Sequence, residues 1–179
     1  MPGPRFQFLF HILQSEQSIL SRTDQKAYTL LSILGVFMVF FIVYYRMMVI
    51  NMFIVVVLTI YFGAAFLTIW SLVRTILPRY KRDSDAAGSD LDRLDPTFFG
   101  GIREFQSSDD YLAHLKTLEK DEGHVLRLLS RQVHTLATIN WSKNTHLRRG
   151  VYSFIVAIGA ELLMILSTFI KRGLESLSP

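Results

Sequence analysis

The sequence predicts an all-α integral membrane protein. It has three membrane-spanning helices, an N-terminal amphipathic helix, and a cytosolic helical segment leading into the third span. Three observations carry this. Half of the 179 residues are hydrophobic and the mean hydropathy is +0.31. The apolar residues are gathered into a few long blocks, a distribution soluble domains rarely show. The lysines and arginines fall mostly on one side of those blocks.

Residues 1–26 come first. Phe6, Leu9, Leu13 and Leu20 recur at roughly helical spacing, with Gln17 interrupting, so an amphipathic helix is expected over residues 4–22. Gln7 and His11 break the apolar stretch and no small-residue cleavage site follows, which argues against a cleaved signal peptide.

Between residues 27 and 73 the only strongly polar side chains are Arg46 and Asn51. One straight helix of that length would reach about 70 Å, more than twice a hydrocarbon core of about 30 Å. Two spans joined by a minimal turn fit instead, over residues 27–45 and 49–73, with Arg46 at the turn. Tyr44, Tyr45 and Trp70 stand where interfacial aromatics belong. The third span covers residues 151–170, bracketed by Arg148 and Arg149 before it and Lys171 and Arg172 after it. A short tail, residues 171–179, follows.

Three spans put the termini on opposite sides, so basic residues choose the orientation. Sixteen lysines and arginines lie before the first span or in residues 74–150, against three elsewhere. The expected topology therefore places the N-terminus and residues 74–150 in the cytoplasm, strengthened by Arg74, Arg79, Lys81 and Arg82 directly after span two. The net charge of +4 is mild and points to lipid headgroups rather than a nucleic acid.

Within residues 74–150, positions 81–96 are polar and rich in Asp, Ser and Ala. Asp90, Asp92 and Asp95 there match no calcium loop, so a solvated linker is preferred to a metal site. Phe98, Phe99, Ile102 and Phe105 form a short apolar patch with Gly100 and Gly101 allowing a turn. Ser107 or Ser108 ahead of Asp109 and Asp110 reads as a helix start, and a helix is expected over about 108–120. Another begins near Asp121 and meets no break before the third span. Leu126, Leu129, Val133, Leu136, Asn140, Lys143 and Leu147 make a heptad seam along it. That face either packs within the chain or serves self-association.

Chemistry is sparse. There is no cysteine, and His114, His124, His134 and His146 stand ten, ten and twelve residues apart, away from the spacing of a helical metal site. No phosphate loop or nucleophile elbow occurs, so no catalytic residue, metal or cofactor is assigned and an enzyme is not expected. Glu161 is the costly residue, a carboxylate at mid-bilayer that must face protein or water or carry a proton. Ser153, Ala157 and Ala160 give its helix a small-residue face. Tyr61 stands at similar depth. Glu161 is then either a structural carboxyl bonded to Tyr61 or Thr59, or a group lining a path. Three helices do not enclose an aqueous path alone, so a homo-oligomer is expected.

Several motifs together resemble one family. Asp24-Gln25-Lys26-Ala27 at the mouth of span one resembles the D-x-K-A signature that opens the membrane domain of Pycsar effector proteins. Phe98-Phe99-Gly100-Gly101-Ile102, then Asp110-Tyr111-Leu112, then a long helix with Lys143 before a last span, follow in the same order. The resemblance covers residues 5–172, with Asp24, Lys26, Phe99 and Gly100 at its motif positions.

It implies antiphage signalling. In that family a pyrimidine cyclase encoded nearby makes cyclic CMP or cyclic UMP on infection, and the resemblance implies an effector that responds by impairing the bacterial inner membrane, killing the cell in an abortive infection. This chain shows no separate nucleotide-binding domain, so a nucleotide would have to meet its own helices. An anionic nucleotide needs cations, which Arg22, Lys26, Lys143 and Arg148 supply near the membrane, with Trp141 or Tyr111 to stack on the base. The competing reading gives those cations headgroup contacts, Asp24 and Lys26 a helix-start role, and Trp141 an interfacial one. Two readings from other classes stand beside the effector: a structural or regulatory membrane protein that docks a cytosolic partner, and a small ion channel.

Overall fold

A computed structural model describes residues 4–46, 48, 51–77, 99–103, 105–118 and 121–177. Among them the secondary structure is entirely helical: α1 is Pro4–Tyr45, α2 is Met52–Ile76, α3 is Phe99–Ile102, α4 is Ser108–Leu118 and α5 is Glu122–Leu177. Three of these, α1, α2 and α5, are long and apolar enough to cross a membrane. The all-α architecture with three membrane-spanning helices is therefore as the sequence predicts. Arg79, Lys81 and Arg82, the Asp90, Asp92 and Asp95 stretch, and Phe98 lie outside the described residues.

The chain divides into two units, Met1–Leu20 with Arg79–Trp141 and Ser21–Pro78 with Ser142–Pro179. In the first, Phe6, Leu9, Leu13 and Leu20 are half-buried, whereas Phe8 and Phe10 between them are exposed. Local signals start the helices as their residue types require. The Ser107 hydroxyl accepts from the Asp110 amide at 3.1 Å ahead of α4, and the Asp121 carboxylate accepts from the His124 amide at 3.0 Å ahead of α5. Leu129, Leu136 and Asn140 of the heptad seam are buried. Asn140 Nδ2 donates to the Glu16 carbonyl at 2.8 Å and to its carboxylate at 2.6 Å.

The second unit holds the membrane core. Leu34 and Phe41 of α1, Val57, Tyr61, Ala64 and Ala65 of α2, and Phe154, Ala157, Ala160 and Met164 of α5 form one buried cluster. Ala27, Leu72 and Leu147 form a second. The turn after α1 contains Arg46, as expected, and Asn51 is the N-cap of α2, its side chain accepting from the Ile54 amide at 2.8 Å. Asn51 thus marks the mouth of a span. At the other end of α2 the Arg74 guanidinium sits 4.7 Å from the centroid of the Trp70 ring.

Small residues set the spacing of α2 and α5. A methyl group added at Gly150 would approach Leu72 Cδ2 to 2.8 Å and its Cγ to 3.1 Å, and Leu72 is fully buried. Gly150→Val should therefore force the helices apart and destabilise the membrane core by about 1–3 kcal/mol. Equilibrium unfolding in mixed micelles measures this; wild-type stability would show that the contact yields freely.

Candidate functional site

Two polar arrangements stand out in the second unit. The first joins α1 to α5. Asp24 and Ala27 lie three residues apart on α1, Lys143 and Leu147 four apart on α5, so each pair shares a helix face. Ala27 and Leu147 pack in the smaller cluster, and beside them Lys143 Nζ donates to both Asp24 carboxylate oxygens, at 2.7 and 2.9 Å. The side chains are 12% exposed for Lys143 and 30% for Asp24, so the pair is partly withdrawn from water and outweighs an open surface pair.

The second is at mid-span. Tyr61 of α2 and Glu161 of α5 are each 1% exposed. The phenol lies beside the carboxyl, within range to interact with it, although neither the Tyr61 hydroxyl nor either Glu161 oxygen reaches ideal hydrogen-bond geometry. The Tyr61 ring stacks on Phe41 at 5.0 Å between centroids, which fixes the hydroxyl's position. Thr59, the other partner expected for Glu161, is exposed and donates to the Val55 carbonyl at 2.9 Å. Two residues turn a helix by about 200°, so Thr59 and Tyr61 face opposite ways.

The remaining site residues from sequence are dispersed. Arg22 and Lys26 are exposed on α1. Lys26 is two residues past Asp24 and faces away from the Lys143 contact. Arg148 is exposed, its guanidinium 5.7 Å from the centroid of the Tyr152 ring. Tyr111 and Trp141 belong to the first unit; Tyr111 packs on Phe105 at 5.2 Å and Trp141 is 75% exposed. Phe99 and Gly100 open the four-residue α3. A helix-start role for Asp24 and Lys26 is overturned, because α1 runs unbroken from Pro4 through both. Both faces that suggested self-association are used inside the chain: Asn140 and Leu147 of the seam, and Ala157 and Ala160 of the small-residue face, are buried against its own helices. Among the described residues no group of three histidines or acids is placed to hold a metal.

Sequence reasoning named Asp24 and Lys143 separately and missed their pairing. It also missed Thr68, Thr75 and Thr168, all fully or almost fully buried. Their signal is spacing: Tyr61, Thr68 and Thr75 are seven apart, as are Glu161 and Thr168.

Residues 8–170 match the Pycsar effector protein domain. The chain belongs to that family. The match contains both polar arrangements and the apolar body of all three spans. No curated protein and no solved structure matches the chain. For this Pycsar effector the family carries membrane residence and a role in antiviral defence.

The ion pair makes a direct prediction. Lys143→Asp should set two carboxylates against each other and destabilise this effector by about 1–3 kcal/mol, and adding Asp24→Lys should recover at least half of the loss. Unfolding of the two single variants and the double variant measures the coupling. A double variant no better than the sum of the singles would remove the pair as a fastening of α1 to α5.

Proposed function

We propose that this Pycsar effector responds to a cyclic pyrimidine nucleotide, cyclic CMP or cyclic UMP from a nearby cyclase, by impairing the bacterial inner membrane. The infected cell then dies before phage can spread. The observation that carries the reading is the family match over residues 8–170, joined to three helices long and apolar enough to cross a bilayer. The effector is proposed to act without catalysis of its own. The excess of basic residues before span one and in residues 74–150 supports a cytoplasmic N-terminus and middle segment. The proposed division is residues 1–26, a hairpin over 27–73, the cytosolic region 74–150, span 151–170 and tail 171–179.

Arg22, Lys26, Lys143 and Arg148 are the proposed cations for the nucleotide, and Tyr111 and Trp141 the proposed aromatics. Lys143 already holds Asp24, so a phosphate that recruits it must displace that carboxylate. Nucleotide binding would then loosen α1 from α5, a direct route from ligand to spans. A homo-oligomer remains part of the proposal, formed through faces other than the two buried ones. Mass photometry in nanodiscs reports the copy number, and a monomer that retains activity would remove this part.

Co-expression with a pyrimidine cyclase should depolarise cells and stop their growth, and either protein alone should not. Unchanged membrane potential and growth with both proteins present would overturn the proposal. Calorimetry of detergent-purified protein with cyclic CMP and cyclic UMP tests direct binding. Lys143→Ala with Lys26→Ala should weaken it on the order of tenfold or more, the loss of charge-assisted contacts to phosphate; unchanged affinity would take both residues out of the site.

A further inference from the structure

Helices α2 and α5 meet at two points that fix their register. Gly150 lies against Leu72, and Glu161 beside Tyr61. Eleven residues forward along α5 correspond to eleven back along α2, so the helices run antiparallel with equal rise. Seven residues bring a helix round to within about 20° of the same face, some 10.5 Å further on. Steps of seven from Tyr61 and Glu161 therefore define layers on one seam: Thr75 with Leu147, Thr68 with Phe154, Tyr61 with Glu161, and Ile54 with Thr168. All eight residues are buried, and Thr68, Thr75, Thr168, Tyr61 and Glu161 are at most 1% exposed.

Each of those four layers contains one or two polar side chains, in a core otherwise built from Ala, Leu, Ile, Val, Phe and Met. The threonines are satisfied as donors by their own helices: Thr68 bonds the Ala64 carbonyl at 2.8 Å, Thr75 that of Ser71 at 3.0 Å, and Thr168 that of Met164 at 2.9 Å. Each hydroxyl oxygen keeps lone pairs with which to accept from water. The Tyr61 hydroxyl and the Glu161 carboxyl lie beside each other and bond no third group.

We propose that Thr75, Thr68, Tyr61, Glu161 and Thr168 form a proton path through the membrane core, with Glu161 as the group that carries the proton at its centre. A layer spacing of about 10.5 Å is too long for direct hops, so water must enter between the layers for the path to conduct. The packed core is the closed state. In the open state, a hydronium ion on one side gives its proton to the Glu161 carboxylate and becomes water, and the carboxyl then passes the proton to a water on the other side, which becomes hydronium. One proton and its positive charge cross per cycle, and the carboxylate is restored. Tyr61 is the titratable neighbour from α2. The buried residues of α1 in this cluster, Leu34 and Phe41, and the Glu161 neighbours on its own helix, Ala157, Ala160 and Met164, supply no cation. A lone carboxylate without a counter-charge suits transient proton occupancy better than the holding of an ion pair.

This inference names how the membrane is impaired and rests on the effector reading for its trigger alone. The test uses the full chain in liposomes with entrapped pyranine and a separate batch with carboxyfluorescein. A pH step is applied, with valinomycin and potassium clamping the potential. Flux is read without nucleotide, with cyclic CMP and with cyclic UMP. Wild type should carry protons on the order of tenfold faster than protein-free vesicles while retaining carboxyfluorescein, and Glu161→Gln should remove most of that flux. Thr68→Val and Tyr61→Phe, which keep shape, should each lower it several-fold. Circular dichroism confirms that each variant is helical, and the latter two carry the test if Glu161→Gln does not fold. Flux without nucleotide dependence supports the path and removes only the trigger. No flux above empty vesicles under any condition, wild-type flux in folded Glu161→Gln (or in both other variants, where these carry the test), or carboxyfluorescein escaping with the protons overturns the proposal.

Discussion

The close approach of α2 and α5 governs the rest of the membrane core. Water is absent from the middle of a bilayer, so apolar burial drives helices together weakly there, and contact comes from dispersion between closely spaced backbones. Ala64 and Ala65 on one helix and Ala157 and Ala160 on the other are buried where larger side chains would hold the helices apart, and Gly150 admits Leu72 where a methyl would collide. Once that register is set, Tyr61 and Glu161 have no choice of depth, because each is an integral number of residues from the same contact. The small cluster of Ala27, Leu72 and Leu147 then brings α1 in, and the Asp24–Lys143 pair closes beside it. The ion pair is thus a consequence of packing as much as a cause of it.

The span count was fully legible because a bilayer leaves little freedom: backbone amides without water must bond within the segment, so long apolar blocks become helices. Their ends were less so. Asn51 looked like a polar interruption and is an N-cap, a role that depends on one bond to Ile54. The polar residues from Ser21 to Lys26 suggested a fresh helix start, yet α1 runs through them. No proline or glycine stands between Arg5 and Leu34, and nothing else in the backbone chemistry obliges the chain to stop.

The candidate site was legible in part, for a similar reason. Composition alone marked Glu161 as anomalous, and depth alone proposed both Tyr61 and Thr59, which a helix turns to opposite sides. Threonines in apolar spans drew no notice because each can satisfy its own hydroxyl on the preceding turn, as Thr68, Thr75 and Thr168 do. Only their common seven-residue step, combined with the register that Gly150 and Leu72 impose, distinguishes an ordered file from scattered polar residues. The pairing of Asp24 with Lys143 was hidden differently. The two are 119 residues apart in the chain, and local pattern has no access to that separation.

Packing does not explain why the core carries this polarity. Valine has nearly the shape of threonine, so valines at positions 68, 75 and 168 would fill the same space without a hydroxyl to satisfy. Phenylalanine at position 61 would stack on Phe41 as tyrosine does, and leucine or methionine at 161 would remove a carboxyl that has only the Tyr61 phenol beside it. Each exchange would leave a drier core, and in a bilayer an unmatched polar atom costs up to several kcal/mol. A core shaped only by packing would therefore be expected to lack these groups, above all Glu161, and here they stand on one seam, in successive layers. The cost falls on the closed state and is relieved once water reaches the seam. The closed core is held less firmly than its small-residue packing would allow, and a trigger that loosens α1 from α5 has less work to do. Stability withheld at Glu161 is consistent with a protein whose work requires that its core be opened.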